Sequence, residues 1–201
     1  GAANFAEIKG SVLTQIALFR PDHNSVQQLN IKLDNLHLDK WVDNAPKARL
    51  QVNIQAKQQD SQHFSAKLSV HNQTVGFIHH LDLPIAEASS DVLWNIHSNR
   101  LLFNQTVFSF AKQANRPTGK LSGTILFDGL LNIDLKAEAI NLAQLAPTLL
   151  PSALNGRLQL KHAPQAKRYQ LTGELGQAAY HFRLDSEFDQ HTLYAKQLIL
   201  Q

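Results

Sequence analysis

The sequence predicts an all-β chain organised as an elongated, curled sheet with an apolar interior. Three observations predict it: side chains alternate with period two almost throughout, turn residues separate the alternating runs, and one unit recurs about a hundred residues later. The alternation puts apolar side chains on one side of each extended run and polar ones on the other. Such a face has to be covered. A compact sandwich and a closed barrel are the alternatives, and the recurrence favours the elongated array over both.

Taken in order, the alternating runs begin with Val12, Ile16 and Leu18, followed by Leu50, Val52, Ile54 and Ala56, and then by Phe64, Ala66, Leu68 and Val70. Leu121, Ile125 and Phe127 form the next, and Leu131, Ile133, Leu135 and Ala137 follow after the turn at Asp128-Gly129. Asn132, Asp134, Lys136 and Glu138 fill the alternate positions of that run, so it reads as a half-buried strand hairpinned to the one before. Leu158 and the run Tyr169, Leu171 and Leu175 continue the pattern. Roughly fifteen strands would fit the chain at about ten residues per strand and turn. Two stretches break the period. Leu142, Leu145 and Leu149 lie at helical spacing after Asn141, a suitable N-cap, and Leu38, Trp41 and Val42 behave likewise, which predicts one short helix or helical turn per repeat.

Those two stretches belong to the recurring unit. In one copy Leu36, Leu38 and Trp41 lead through a proline to Arg49, Leu50 and Gln51; in the other Ile140, Leu142 and Leu145 lead through prolines to Arg157, Leu158 and Gln159. Leu38 and Leu142 are 104 residues apart and the two arginines 108, so the connection between them absorbs a four-residue difference. The chain therefore reads as one continuous segment, 1–201, with related repeats at about 10–100 and 119–201. Its first and last residues fall within strand-like pattern, the expectation for a piece of a longer protein.

Composition excludes several functions. With 43% hydrophobic and 17% charged residues the chain is foldable, and a net charge of +3 scattered along it is no nucleic-acid surface. No cysteine is present, which removes disulfides and thiolate metal sites. Ten histidines, including His79-His80, show no zinc-ligand spacing, so no metal or cofactor is expected. Asp185, Glu187 and Asp189 read as a solvated strand face, Arg49 and Arg157 as solvated arginines, and no nucleophile or phosphate loop accompanies them: the chain is not expected to be an enzyme.

The stretch "GKLSGTILFDGLLNIDLKAEAINLAQLAPTLLPSALNGRLQLK", residues 119–161, resembles the recurring unit of the TamB-like family within the AsmA-like group of very long bacterial envelope proteins. Gly123 opens the strand, the run to Ala137 alternates, and "INLAQL", the proline-bearing connection and Asn155-Gly156 follow in order. The first copy departs in having Ala48 where the second has Gly156. The resemblance implies a β-taco, an open solenoid-like groove, in a protein anchored in the inner membrane of Gram-negative bacteria and crossing the periplasm. It implies phospholipid acyl chains as partners, the outer-membrane barrel protein TamA as a partner reached through other parts of the chain, and a link to autotransporter assembly. A scaffold that pairs strands with outer-membrane proteins, without lipid transport, is the alternative. In the lipid reading the groove is lined by Val12, Ile16, Leu18, Val52, Ile54, Phe64, Leu68, Leu121, Ile125, Phe127, Leu131, Ile133, Leu135, Leu158 and Leu171. Two acyl chains of roughly sixteen carbons cost on the order of 25 kcal/mol to strip into water, and a continuous apolar trough removes most of that barrier.

Overall fold

A computed structural model describes residues 9–15, 28–41, 43–111, 118–163, 168–178, 180–188 and 193–200; for 9–15, 163, 180 and 193–200 only the backbone is considered. It contains twelve strands: β1 (Lys9–Gln15), β2 (Gln28–His37), β3 (Arg49–Gln58), β4 (His63–Asn72), β5 (Ile85–Asn95), β6 (Arg100–Phe110), β7 (Lys120–Phe127), β8 (Leu131–Ile140), β9 (Leu154–Ala163), β10 (Arg168–Gln177), β11 (Tyr180–Phe188) and β12 (Leu193–Leu200). They form one sheet in sequence order, each antiparallel to the next, and β1 does not meet β12, so the sheet is open rather than a barrel. Most strands run ten residues or so, longer than the sequence reading allowed, so the described residues hold twelve against the roughly fifteen expected of the whole chain.

Helix is confined to the connections. Helix α1 (Leu38–Trp41) follows β2, and the equivalent turn after β8 is a 3-10 turn, Leu142–Gln144. Asn141 caps that turn by accepting from the Ala143 amide at 3.2 Å, as its position predicts, but Leu149 lies beyond it. Val42 lies outside the described residues. A further 3-10 turn, Ile78–His80, sits between β4 and β5, so the first repeat carries two helical turns rather than one.

The recurrence has a structural counterpart. β2 and β8 each carry a bulge just before their helical turn, with Asn35 (φ 61°) and Ala139 (φ 51°) in the left-handed region, and these two residues are again 104 apart. Gln51 donates to Asp34 Oδ1 at 2.7 Å and Arg49 Nε to Asn35 Oδ1 at 2.8 Å. In the second copy Gln159 donates to Asp134 Oδ2 at 3.1 Å, and Arg157 grips the same carboxylate through Nε at 2.6 Å and through its terminal nitrogen. The Arg-Leu-Gln triplet thus ties each post-helical strand to the strand before the helix. Neither arginine is merely solvated. Gly156 is demanded by close approach, since a Cβ there would run into the Glu174 carbonyl; Ala48, its counterpart, stands in the connection before β3 and is buried with Leu50 and Val52.

Because every strand is antiparallel to its neighbour, connections alternate between the two ends of the sheet, and four long ones share one end while three short turns share the other. The long ones join β2 to β3, β4 to β5, β6 to β7 and β8 to β9; the short ones are 59–62, 96–99 and 128–130 among the described residues. The core sits mainly at the first end, with buried Leu135 midway along β8. Nine hydrophobic side chains are buried among the described residues, and eight of them form two clusters there, one around Ala48, Leu50 and Val52, the other around Phe110, Ala137, Ile140, Leu154 and Leu175.

Candidate functional site

Register assigns each side chain to a face, because residues directly opposite across a ladder point the same way. One row runs Leu33, Val52, Val70, Ala88, Phe108, Leu121, Ala137, Gly156, Leu175, Phe182 across ten strands. A second, four residues along each strand and five along the bulged β6, runs Leu29, Ala56, Ala66, Val92, Phe103, Ile125, Ile133, Leu160, Leu171, Ser186. Every member of the first row is apolar or glycine, and in the second only Ser186 departs.

Of the residues read from sequence as groove lining, Val52, Ile54, Phe64, Leu68, Leu121, Ile125, Phe127, Leu131, Ile133, Leu135, Leu158 and Leu171 all fall on this face. Val12 pairs with Ile31 of the same face; Ile16 and Leu18 lie outside the described residues. The turn at Asp128-Gly129 sets Ile125 opposite Ile133 and Phe127 opposite Leu131, as the hairpin reading requires. No second sheet covers the face among the described residues, and away from the capped end its side chains are mostly half-exposed.

The middle of the face has a polar interruption that alternation did not announce. Ser90 and Thr106, both buried, share a hydrogen bond at 2.9 Å where β6 bulges at Gln105 (φ 49°), and Ser90 also donates to the Asn104 carbonyl at 3.1 Å. Their hydroxyls are satisfied within the bulge, so the interruption presents small, neutral surface rather than hydrogen-bonding demand.

The end with long connections is closed by a hydrogen-bonded belt. The Lys47 amide donates to the Leu81 carbonyl at 2.6 Å and Leu83 returns a bond to Lys47 at 3.0 Å, joining the first two connections. The Ile78 amide donates to the Leu145 carbonyl at 2.9 Å, joining the second to the fourth, and buried Gln144 donates to the Ala111 carbonyl, joining the fourth to the third. Buried Asn72 and Asn141 stitch the belt from within: Asn72 donates to Leu83 and Ile85 carbonyls, and Asn141 accepts from Ser152 at 3.1 Å.

At the opposite end a row of rings lines the apolar face. Phe64 lies 5.8 Å from Trp94, and Tyr169 lies 5.1 Å from His162 and 5.6 Å from Phe188, centroid to centroid. Here the turns are tied by His63, whose Nδ1 meets the Asp60 carboxylate at 2.9 Å and whose Nε2 meets the Asn95 amide at 2.9 Å.

The other face is polar. Two shallow depressions on it, of about 440 Å³ and 510 Å³, are lined by amide, hydroxyl and charged groups such as Gln51, Asn53, Ser69 and Lys67 mixed with apolar side chains such as Val107 and Leu93. Over β8–β11 the polar side chains pair across strands. The hydrogen bond from Arg157 holds the Asp134 carboxyl below its ordinary range; Gln170 donates to Asp185 at 3.2 Å, and Arg168 lies 3.8 Å from Glu187. Asp185 and Glu187 are therefore structural partners rather than free carboxylates, and Asp189 lies outside the described residues. Among the described residues no three histidines or carboxylates are grouped to hold a metal, and no helix is long and apolar enough to cross a membrane.

Comparison with protein-family models, curated proteins and solved structures gave no match.

Proposed function

We propose that this chain is a periplasm-crossing segment of a TamB-like envelope protein of Gram-negative bacteria, and that its apolar face carries phospholipid acyl chains between inner and outer membrane. One observation carries the reading: a largely apolar face that crosses ten strands, broken at Ser90 and Thr106, with no second sheet over it among the described residues. Uncovered apolar surface on this scale marks a binding surface. Curling the sheet towards that face would make it a trough. The bulges at Asn35, Gln105 and Ala139 bend three strands and supply a means of doing so. The belt closes one side of such a trough, leaving the ring-lined end as the seam where headgroups stay in water. A lipid bound this way needs no specific pocket, only similar free energy at successive strands. The reading assigns no catalysis, metal or cofactor, and engagement of TamA falls to other parts of the protein.

The open sheet favours a second reading, in which β1 or β12 pairs with a strand of an outer-membrane protein, autotransporters among them, as a scaffold without lipid transport. One experiment separates the two. A photoreactive residue at Ile133, on the apolar face, should form phospholipid adducts in cells, and one at Thr124, exposed on the polar face, should not. Mass spectrometry of lipids that accompany the chain through detergent-free purification should show diacyl phospholipid. Equal adducts at both positions, or none, with a barrel strand cross-linked at an edge instead, would leave the scaffold reading in place.

A further inference from the structure

We infer that the open end of β5–β8 is a membrane-contact edge that seats in the interface of an anionic phospholipid bilayer. The observation is a local loss of alternation. At the ends of β5, β6 and β7 consecutive residues are apolar on both faces: Leu93 with Trp94, Leu101 with Leu102, Leu126 with Phe127. Leu93, Leu102 and Leu126 form a row on the polar face, directly behind Trp94, Leu101 and Phe127 on the other. Ile96 and Leu130 extend the patch onto the turns. Exposure is large for the five outermost: Leu93 48%, Trp94 42%, Ile96 45%, Phe127 40% and Leu130 37%.

A protein docked on one face of a sheet covers alternate residues only. Consecutive apolar residues at a strand end are covered together only by a medium that surrounds the edge, and a bilayer interface is such a medium. The neighbouring turn, Gln59-Asp60-Ser61-Gln62, is polar and bounds the patch. Charge selects the lipid. The Arg100 guanidinium has no partner among the described residues and lines a depression of about 260 Å³ together with Phe64, Leu93, Trp94 and Leu102. A headgroup whose phosphate charge is not cancelled by an ammonium, as in phosphatidylglycerol, is its complement, with the acyl end against the rings. His97 lies on the same turn, and Asp128 is the one carboxylate on the two turns. Trp94 sits where indoles favour the headgroup boundary. Nothing in this inference requires lipid to travel along the apolar face, so the two fail separately.

The chain has two tryptophans, Trp41 and Trp94, so Trp41→Phe leaves Trp94 as the sole reporter. With vesicles of phosphatidylethanolamine and phosphatidylglycerol its emission should shift to the blue, and bromine on the acyl chains should quench it. Ile96→Ser combined with Leu130→Ser should lower vesicle partitioning by roughly tenfold or more. Arg100→Gln should weaken binding to these vesicles and leave the weaker binding to pure phosphatidylcholine unchanged. Leu150→Ser, at an equally apolar site on the opposite end (81% exposed), should change nothing. The inference is overturned if Trp94 stays unquenched, if Leu150→Ser costs as much as the paired change, or if the chain self-associates without vesicles in a way that the paired change abolishes.

Discussion

The two ends of the strands obey different physics. At the capped end long connections fold back, hydrogen-bond to one another and bury eight of the nine buried hydrophobic side chains. At the open end the described turns 59–62, 96–99 and 128–130 are short, and Leu93, Trp94, Phe127 and Leu130 stay exposed. Both ends belong to the same strands and the same apolar face. The difference teaches how a sheet without a second layer remains folded: fixing one end sets register for the whole length, and the rest of the face is left free of stabilising duty. Function can then be placed on surface that ordinary domains must bury.

If that division is right, equivalent substitutions should differ sharply between the ends. Leu154→Ala, in the capped cluster, should cost about 3 kcal/mol in urea unfolding, whereas Leu130→Ala should cost less than about 0.5 kcal/mol. Comparable losses at both would erase the contrast. Asparagines offer a finer version. Asn141→Ala removes the cap of the Leu142–Gln144 turn and an acceptor for Ser152, a loss of about 1–2 kcal/mol, while Asn95→Ala, which frees only the Ser98 amide and His63 at the open turns, should cost about a quarter of that. The smallest effect lies on the polar face between the ends. The Asp134 carboxyl is held below its ordinary range by Arg157, so its contribution is fully present above the pKa of the unfolded chain and is lost as pH falls through the folded value. The melting difference between the native chain and Asp134→Asn should therefore be small at neutral pH, because the pair is partly solvated, and should vanish in acid. A difference that grows on acidification would mean the pairing is misread.

Much of this was legible in the sequence. Where polar and apolar residues alternate strictly, as from Leu131 to Glu138, strand, face and hairpin partner could all be read; the recurring Arg-Leu-Gln marked the repeat, but its arginines read as solvated, and their ties to Asn35 and Asp134 were not legible. Residues 85–110 gave no such reading. The run Ser89-Ser90-Asp91 and the bulge at Gln105 break the period, and the doubled apolar ends of β5 and β6 remove the contrast between faces. Ala139 in the left-handed region gives no signal at all, since glycine or asparagine is what marks such a position. The belt was invisible for a different reason: its bonds join connections distant in sequence, as Ile78 and Leu145 are, through backbone atoms that carry no residue identity.

The central claim is that the apolar face away from the belt is not protein core, and β8 contains both cases. Ala137 and Ile133 lie on the same face of this one strand; the first is fully buried and the second half-exposed. Thermal unfolding of Ala137→Arg beside Ile133→Arg tests the claim most directly. The account predicts that Ala137→Arg loses several kcal/mol by burying an unpaired charge and does not fold, whereas Ile133→Arg melts close to the native chain, its guanidinium reaching water across an uncovered face. If Ile133→Arg also fails to fold, the face is a closed core and the lipid reading falls with it.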